Sequence, residues 1–240
     1  MVQRLGNVAG FVYSLVSIHE EADLEGDVLK VTTSERIIAA ANRLFYSEGI
    51  RSVSVDAVAA RAGVTKRTLY YHFKSKDDLV AAYLSGRDQP NIALFQRWFA
   101  ETDGDLADRT RGIFVHLAQS ARHPKWRGCG FLRTSAELAN MPGHPAIKIG
   151  AAHKKKFERW MQDCSEAASI GDGLRLARQI VLLLDGSFAV SLLHRDPSYM
   201  ETAGEAAHAL VKAAARRCRT TRAQERTCLT GNRRRNPGHP

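Results

Sequence analysis

The stretch SVDAVAARAGVTKRTLYYHFKSKDDL, Ser54 to Leu79, decides the fold. Val55, Val58 and Ala59 recur at helical spacing, Gly63 interrupts the run, and Val64 and Leu69 resume the apolar side beyond it. Two short helices joined by a glycine turn make a helix-turn-helix pattern. The remaining face collects Thr65, Lys66, Arg67, Thr68, Tyr70, Tyr71, His72 and Lys76. Donors and flat rings crowded onto one short element suit a DNA groove and its phosphates.

Upstream, Ile37, Ile38, Ala41, Leu44 and Phe45 form the apolar stripe of a helix from Ser34 to Glu48, which Gly49 ends. Ser54 is a good N-cap for the next helix, and a third begins near Thr65. Ser75 followed by Asp78 reads as a capping box for a fourth, from Lys76 toward Phe99, with Asp77 and Asp78 suiting its positive end. Pro90 is expected to kink or break that helix, because proline removes a backbone donor and crowds the preceding turn. Helical segments follow near Leu106 to Arg122, Phe131 to Asn140, Ala146 to Ala168, Leu174 to His194 and Tyr199 to Arg217. No strand pattern appears, so the fold class is all-α. Ile180 to Leu193 is apolar nearly all round and must be covered on several sides. No apolar stretch is expected to approach the length that spans a bilayer.

TLYYHFKSKDDL, Thr68 to Leu79, placed after the Ser34 to Glu48 helix, Gly49-Ile50 and AVAARAGV, resembles the signature of the TetR family of bacterial transcriptional regulators. The close resemblance runs from Ser34 to Leu84, and a looser one continues to about Arg217. It implies an N-terminal three-helix helix-turn-helix domain over residues 32–74, then a helical effector-binding and dimerisation domain over 75–217. It also implies a homodimer built from the last two long helices, double-stranded DNA with a roughly palindromic operator, a small-molecule effector and a cytoplasmic location. Repression is the expected mode. No cofactor, metal or membrane partner is expected.

The same resemblance distributes roles along the motif. Thr65, Lys66, Arg67 and Thr68 face the groove, where a lysine or arginine can donate to guanine O6 and N7. Tyr70, Tyr71, His72 and Lys76 match positions that contact backbone phosphates, which fix register without reading sequence. Ser54 is expected to cap its helix and also lie near a phosphate. Either tyrosine could instead pack beneath the three-helix domain, whereas Leu69 and Phe73 read as core. Some family members carry a base-reading arginine early in the second helix; this chain has Asp56, which suits the helix dipole instead.

In the C-terminal part, Trp98, Phe131 and Trp160 are the candidates for lining an effector cavity. RGCGFLRTSAELAN, Arg127 to Asn140, is similar to a pattern in one branch of the family's effector domains. Lys154, Lys155 and Lys156 read as a solvated basic face, and Glu137 and Asp185 as lone acids that pair with an arginine or meet a ligand, the pairing being preferred. His144 and His153 are too far apart for a one-face metal pair.

Composition says less than the motif. The 240 residues carry a net charge of +10, but Arg216 to Pro240 alone holds eight arginines against one glutamate. Thr32 to Val80 has eight lysines and arginines against five acids, so the overall charge is weak support for a polyanionic partner. The four cysteines, Cys129, Cys164, Cys218 and Cys228, form no ligand cluster and fit reduced thiols. Residues 218–240 lack apolar periodicity and are expected to be a disordered basic tail. Residues 1–31 read as a flexible arm or as translated upstream sequence, with Val28, Leu29 or Val31 as starts. Arg4 before an apolar run only faintly imitates a secretory signal.

Two rival readings come from other classes: a helical enzyme using the cavity, and a sequence-indifferent DNA binder driven by the tail. The first lacks any nucleophile, base and acid set or phosphate-cradling glycine loop.

Overall fold

The computed structural model describes residues 31–232. Almost the whole expected N-terminal arm and the last eight residues of the tail therefore lie outside the described residues.

Among those described there is no strand, and nine helices follow in order: α1 (Thr33–Glu48), α2 (Val55–Ala62), α3 (Lys66–His72), α4 (Lys76–Glu101), α5 (Leu106–Ala121), α6 (Gly130–Glu137), α7 (Pro145–Ala167), α8 (Gly173–His194) and α9 (Ser198–Asn232). The chain is all-α, as its periodicity indicates.

Local chemistry sets the helix starts. Thr32 and Glu35 form a full capping box on α1, the Thr32 hydroxyl accepting from Glu35 N at 3.2 Å while the Glu35 carboxylate accepts from Thr32 N at 2.8 Å. Asp105 and Asp108 do the same for α5. At α4 the Ser75 hydroxyl accepts from Asp78 N at 3.0 Å, the forward half of the expected box.

Two corrections concern where helices stop. Pro90 lies inside α4, which runs unbroken to Glu101. The carbonyl that the ring crowds belongs to Gly86, four positions earlier, whose backbone yields more readily than that of other residues. The expected unstructured tail is helical through Asn232. No glycine or proline stands between Arg217 and Gly231, and alanine, arginine, glutamine and glutamate favour helix.

Two apolar clusters organise the helices. The first gathers Ile37, Ala41 and Phe45 of α1, Val58 and Ala59 of α2 and Leu69 of α3, together with Leu79, Val80, Tyr83 and Leu84 of α4 and Phe131 of α6. Fully burying a side chain such as Ile37 or Phe45 stabilises by roughly 1.5–3 kcal/mol. This core extends across position 74, because the first turns of α4 and one face of α6 close the underside of the three short helices. The second cluster contains Phe95 and Trp98 of α4, Ile113 and Phe114 of α5, Phe157 and Met161 of α7, Ile180, Leu184 and Phe188 of α8, and Val211 of α9. Helix α4 thus belongs to both cores.

Contrary to the sequence expectation, α8 is long and apolar enough by length and composition to cross a membrane, with a window of mean hydropathy 1.6. In the fold it packs against α7 and α9. Ile180, Leu184 and Phe188 are buried there, while Leu182 and Leu193 remain 72% and 77% exposed.

Candidate nucleic-acid interface

The joint between α2 and α3 is built around Gly63, at φ 64° and ψ 39°, a left-handed conformation that glycine adopts without steric cost. Gly63 N donates to Ala60 O at 3.1 Å and Val64 N to Ala59 O at 3.0 Å, the pair of bonds that closes a Schellman turn. From α1, the Arg36 guanidinium donates to Ala62 O at 2.7 Å and Gly63 O at 3.1 Å, fastening the joint to the first helix. Leu69 is fully buried beneath α3 and Phe73 is buried just beyond it, so the inner side of the motif is as expected.

The outer side gathers the candidate residues. Thr65, Lys66, Arg67, Tyr70, Tyr71 and His72 are exposed along α3 and its cap, and Thr68 is half-buried. Tyr71 is 85% exposed and packs edge-on against His72, so it takes no part in the core. Tyr70 is 42% exposed. Ser54 is also exposed, and its hydroxyl accepts from Ala57 N at 3.0 Å as the cap of α2. Lys76 stands half-buried at the first position of α4, where burial moves its ammonium below the usual lysine range while Glu137 and Asp77 oppose that shift.

The four residues assigned to the groove are not equally available. The Thr65 hydroxyl caps α3, accepting from Thr68 N at 3.1 Å, and lies 2.8 Å from the Thr68 hydroxyl. Lys66 Nζ donates to Asp56 Oδ2 at 3.0 Å, and that hydrogen bond, with the charge behind it, raises the lysine above its usual range. Asp56 therefore does more than face the dipole of α2: it ties the two helices across the turn. The pair is exposed on both sides and open to screening by salt. Arg67 has no partner among the described residues. Sequence spacing gave no sign of the Asp56–Lys66 contact, because the turn angle that brings the two side chains together is set by Gly63 and Arg36.

Several residues that link this motif to the rest of the chain give no sign of their partners in the sequence, although Arg127, Gly128, Arg133 and Glu137 fall in the Arg127 to Asn140 stretch. Tyr46 of α1 accepts from Arg127 N at 2.9 Å and donates to Gly128 O at 3.4 Å, and Arg133 of α6 donates to Tyr46 O at 2.6 Å. Glu137 accepts from the backbone N of Arg51 at 2.9 Å, and Arg87 of α4 donates to Asn42 of α1 at 2.9 Å. These bonds join segments that are far apart in sequence, so periodicity cannot reveal them.

The C-terminal expectations need correction. Asp185 pairs with Lys154, and Glu137 takes a backbone amide; neither meets the arginine side chain expected for it. Lys154 is half-buried and also reaches Cys129 Sγ at 3.8 Å, while Lys156 pairs with Asp88, so the basic run is more than a solvated face. His144 caps α7 and its Nε2 lies 3.2 Å from Asp77; His153 is buried against Asp88 at 2.8 Å.

Trp98, Phe131 and Trp160 do not come together. Trp98 is stacked on His116 at 5.4 Å in the second core, and Trp160 packs edge-on against Phe99 and Phe157 at its margin. Phe131 is buried in the first core and stacked on His153 at 3.9 Å.

A left-handed glycine turn, a buried joint and a short second helix with its outer face exposed define a helix-turn-helix protein. The profile described as bacterial regulatory proteins, tetR family, matches residues 37–83, which contain the whole motif. Among solved structures, a TetR-family transcriptional regulator from Streptomyces coelicolor is 32% identical, with a TM-score of 0.68 over 76% of this chain and 96% of that one. A TetR-type regulator from Streptomyces avermitilis is 28% identical, with a TM-score of 0.62 over 73% and 98% of the two chains. The transcriptional regulator AcrR of Shigella flexneri is 33% identical over 88 residues, 37% of this chain and 41% of that protein. TtgR of Pseudomonas putida is 42% identical over 85 residues, 35% of this chain and 40% of that protein. The chain thus spans about two-fifths of the length of these two curated relatives. It belongs to the TetR family of bacterial regulatory proteins.

Proposed function

We propose that this protein is a dimeric, sequence-specific DNA-binding regulator of transcription, acting as a repressor that a small molecule releases. The exposed outer face of α3, carried on a fully buried Leu69, is the observation that supports DNA reading most directly. Arg67, with Lys66 once it leaves Asp56, reads base edges. Thr65 and Thr68 border the groove, and Ser54, Tyr70, Tyr71, His72 and Lys76 hold phosphates on either side.

An exposed stripe on α8 supports dimerisation. Leu182, Gly186, Ala189 and Leu193 fall at spacings of four, three and four residues, forming one exposed, apolar or small-residue stripe. Paired with its copy, that stripe sets two α3 helices against successive major-groove faces about 34–36 Å apart and so requires a roughly palindromic site.

Effector release is supported by two groups at the second core, Trp98 within it and the half-buried His116 stacked on it. Trp98 Nε1 and His116 Nδ1 are buried without a hydrogen-bond partner among the described residues. Buried polar groups without partners are uncommon, and a ligand carrying a donor and an acceptor would satisfy both. Because α4 runs from Lys76 through both cores, a ligand that favours a shifted α4 also shifts the platform under α3.

The decisive experiment compares binding to the protein's own promoter region with binding to random DNA of equal length at about 150 mM salt, where nonspecific affinity is weak. A preference of about a thousandfold or more is expected. Equal affinity would refute sequence-specific regulation. Deleting Arg219 to Pro240 should leave the preference intact, whereas a tail-driven binder would lose nearly all affinity.

A further inference from the structure

At the margin of the second core, where Trp126 stacks on Phe188, a cleft of about 190 Å³ opens between the end of α5, the loop leading to α6 and the end of α8. Trp126 and Leu192 supply apolar wall, and Arg122, Arg127 and Arg195 bring guanidinium groups to the same opening. Charge here is partly compensated. Arg122 is bonded to Glu201 at 2.6 Å, and the nearby Asp196 carboxylate accepts from Ser198 N at 2.9 Å. Arg127 spends one terminal nitrogen on two backbone carbonyls, Pro124 O and Trp126 O, both at 2.8 Å. Arg195 has no ion pair among the described residues.

Two further features mark the cleft as built for a ligand. Ser191 forms part of its wall and is 1% exposed, yet its hydroxyl has no hydrogen-bond partner among the described residues. A helical serine ordinarily back-bonds to its own helix or points to solvent. Arg195 caps α8 at φ 54° and ψ 35°, a left-handed conformation that glycine or asparagine adopts more readily than arginine. That turn brings a long cationic side chain to the cleft where a glycine would end the helix with less strain.

We infer that this cleft binds a small aromatic carboxylate: its ring lies against Trp126 and Leu192, and its carboxylate takes Arg195 and the Ser191 hydroxyl. The size agrees, since an engineered cavity of about 150 Å³ accepts benzene. A guanidinium matches a carboxylate's two oxygens in a way that a neutral amide does not. The site stands apart from Trp98 and His116, and binding to it does not depend on the DNA-reading role.

The test uses the full chain without DNA and follows benzoate, benzamide and acetate by calorimetry. Benzoate should bind saturably, and at least about tenfold more tightly than benzamide, which lacks the charge, or acetate, which lacks the ring. Arg195→Asn suits the left-handed turn and removes the cation; it should weaken benzoate about tenfold or more. Ser191→Ala should weaken it about threefold, with unchanged melting behaviour in both variants. No saturable benzoate binding up to about 10 mM overturns the inference, as does equal affinity for benzoate and benzamide or full affinity in folded Arg195→Asn. Should Arg195→Asn fail to fold, the wild-type comparison of the three probes and Ser191→Ala still decide.

Discussion

Replacing Asp56 with asparagine removes the carboxylate that holds Lys66 at 3.0 Å across the α2–α3 turn. Two consequences follow for DNA. The lysine's charge is released toward the DNA groove, where it displaces a counterion, and a negative charge is withdrawn from the same face. Each additional phosphate neutralised steepens the dependence of log affinity on log salt by about 0.9. Between 50 and 200 mM, one freed lysine therefore makes the variant lose about 3.5-fold more affinity than the wild type. The helix pays little, since an acidic side chain in the first turn contributes about 0.3–1 kcal/mol and asparagine retains the polar group. Fluorescence anisotropy on a promoter duplex at several salt concentrations gives the slope directly. Lys66→Met should leave the wild-type slope nearly unchanged, because Asp56 already holds that charge, and adding it to Asp56→Asn should abolish the gain. An unchanged slope in Asp56→Asn, or the same gain with Lys66 absent, would show that the pair has no bearing on DNA contact.

Other perturbations probe the frame. Tyr46→Phe leaves Arg127 N without its 2.9 Å partner in a half-buried position, so urea unfolding should show a loss of about 1–3 kcal/mol; a loss near zero would mean that the bond between α1 and the α6 segment is dispensable. Gly63→Ala forces a side chain into φ 64°, with its Cβ 3.2 Å from the Arg36 guanidinium, and should cost about 1–2 kcal/mol and lower the melting temperature. The Lys212 ammonium at 2.6 Å, aided by the N–H groups of Asp108 and Ala107, holds the Asp105 carboxyl at about 2, below its ordinary 3.8. Because the folded value is depressed, that stabilisation is present above the ordinary carboxylate value and is lost as pH falls from about 4 through 2. Urea midpoints at pH 5 and pH 2.5 should therefore converge between wild type and Asp105→Asn at the acid end; a gap that stays constant with pH would contradict the assignment.

The helix-turn-helix was legible because each of its signals is local. Ser54, Thr65 and Ser75 cap the helices that begin after them, Gly63 takes the left-handed turn, and Leu69 and Phe73 fall inside. Propensity was a weaker guide where tertiary packing competes with it: Pro90 does not break α4, and α8 has membrane-like hydropathy while packing between two other helices. Aromatic content marked out Trp98, Phe131 and Trp160, but whether a ring faces a chamber or fills a core depends on helices remote in sequence, and here they divide between two cores.

By itself, then, the sequence determined the helical class, the order of helices and the side chains offered on α3, since capping, periodicity and turn chemistry act within a few residues. Only the tertiary structure decided which of those side chains are available and how they connect to the rest. Asp56 engages Lys66, Tyr46 reaches Arg127 and Gly128, Lys154 finds Asp185, and Trp126 and Arg195 line one cleft. The physical reason is range: hydrogen bonds and ion pairs act over a few ångströms, and only packing brings residues distant in sequence that close.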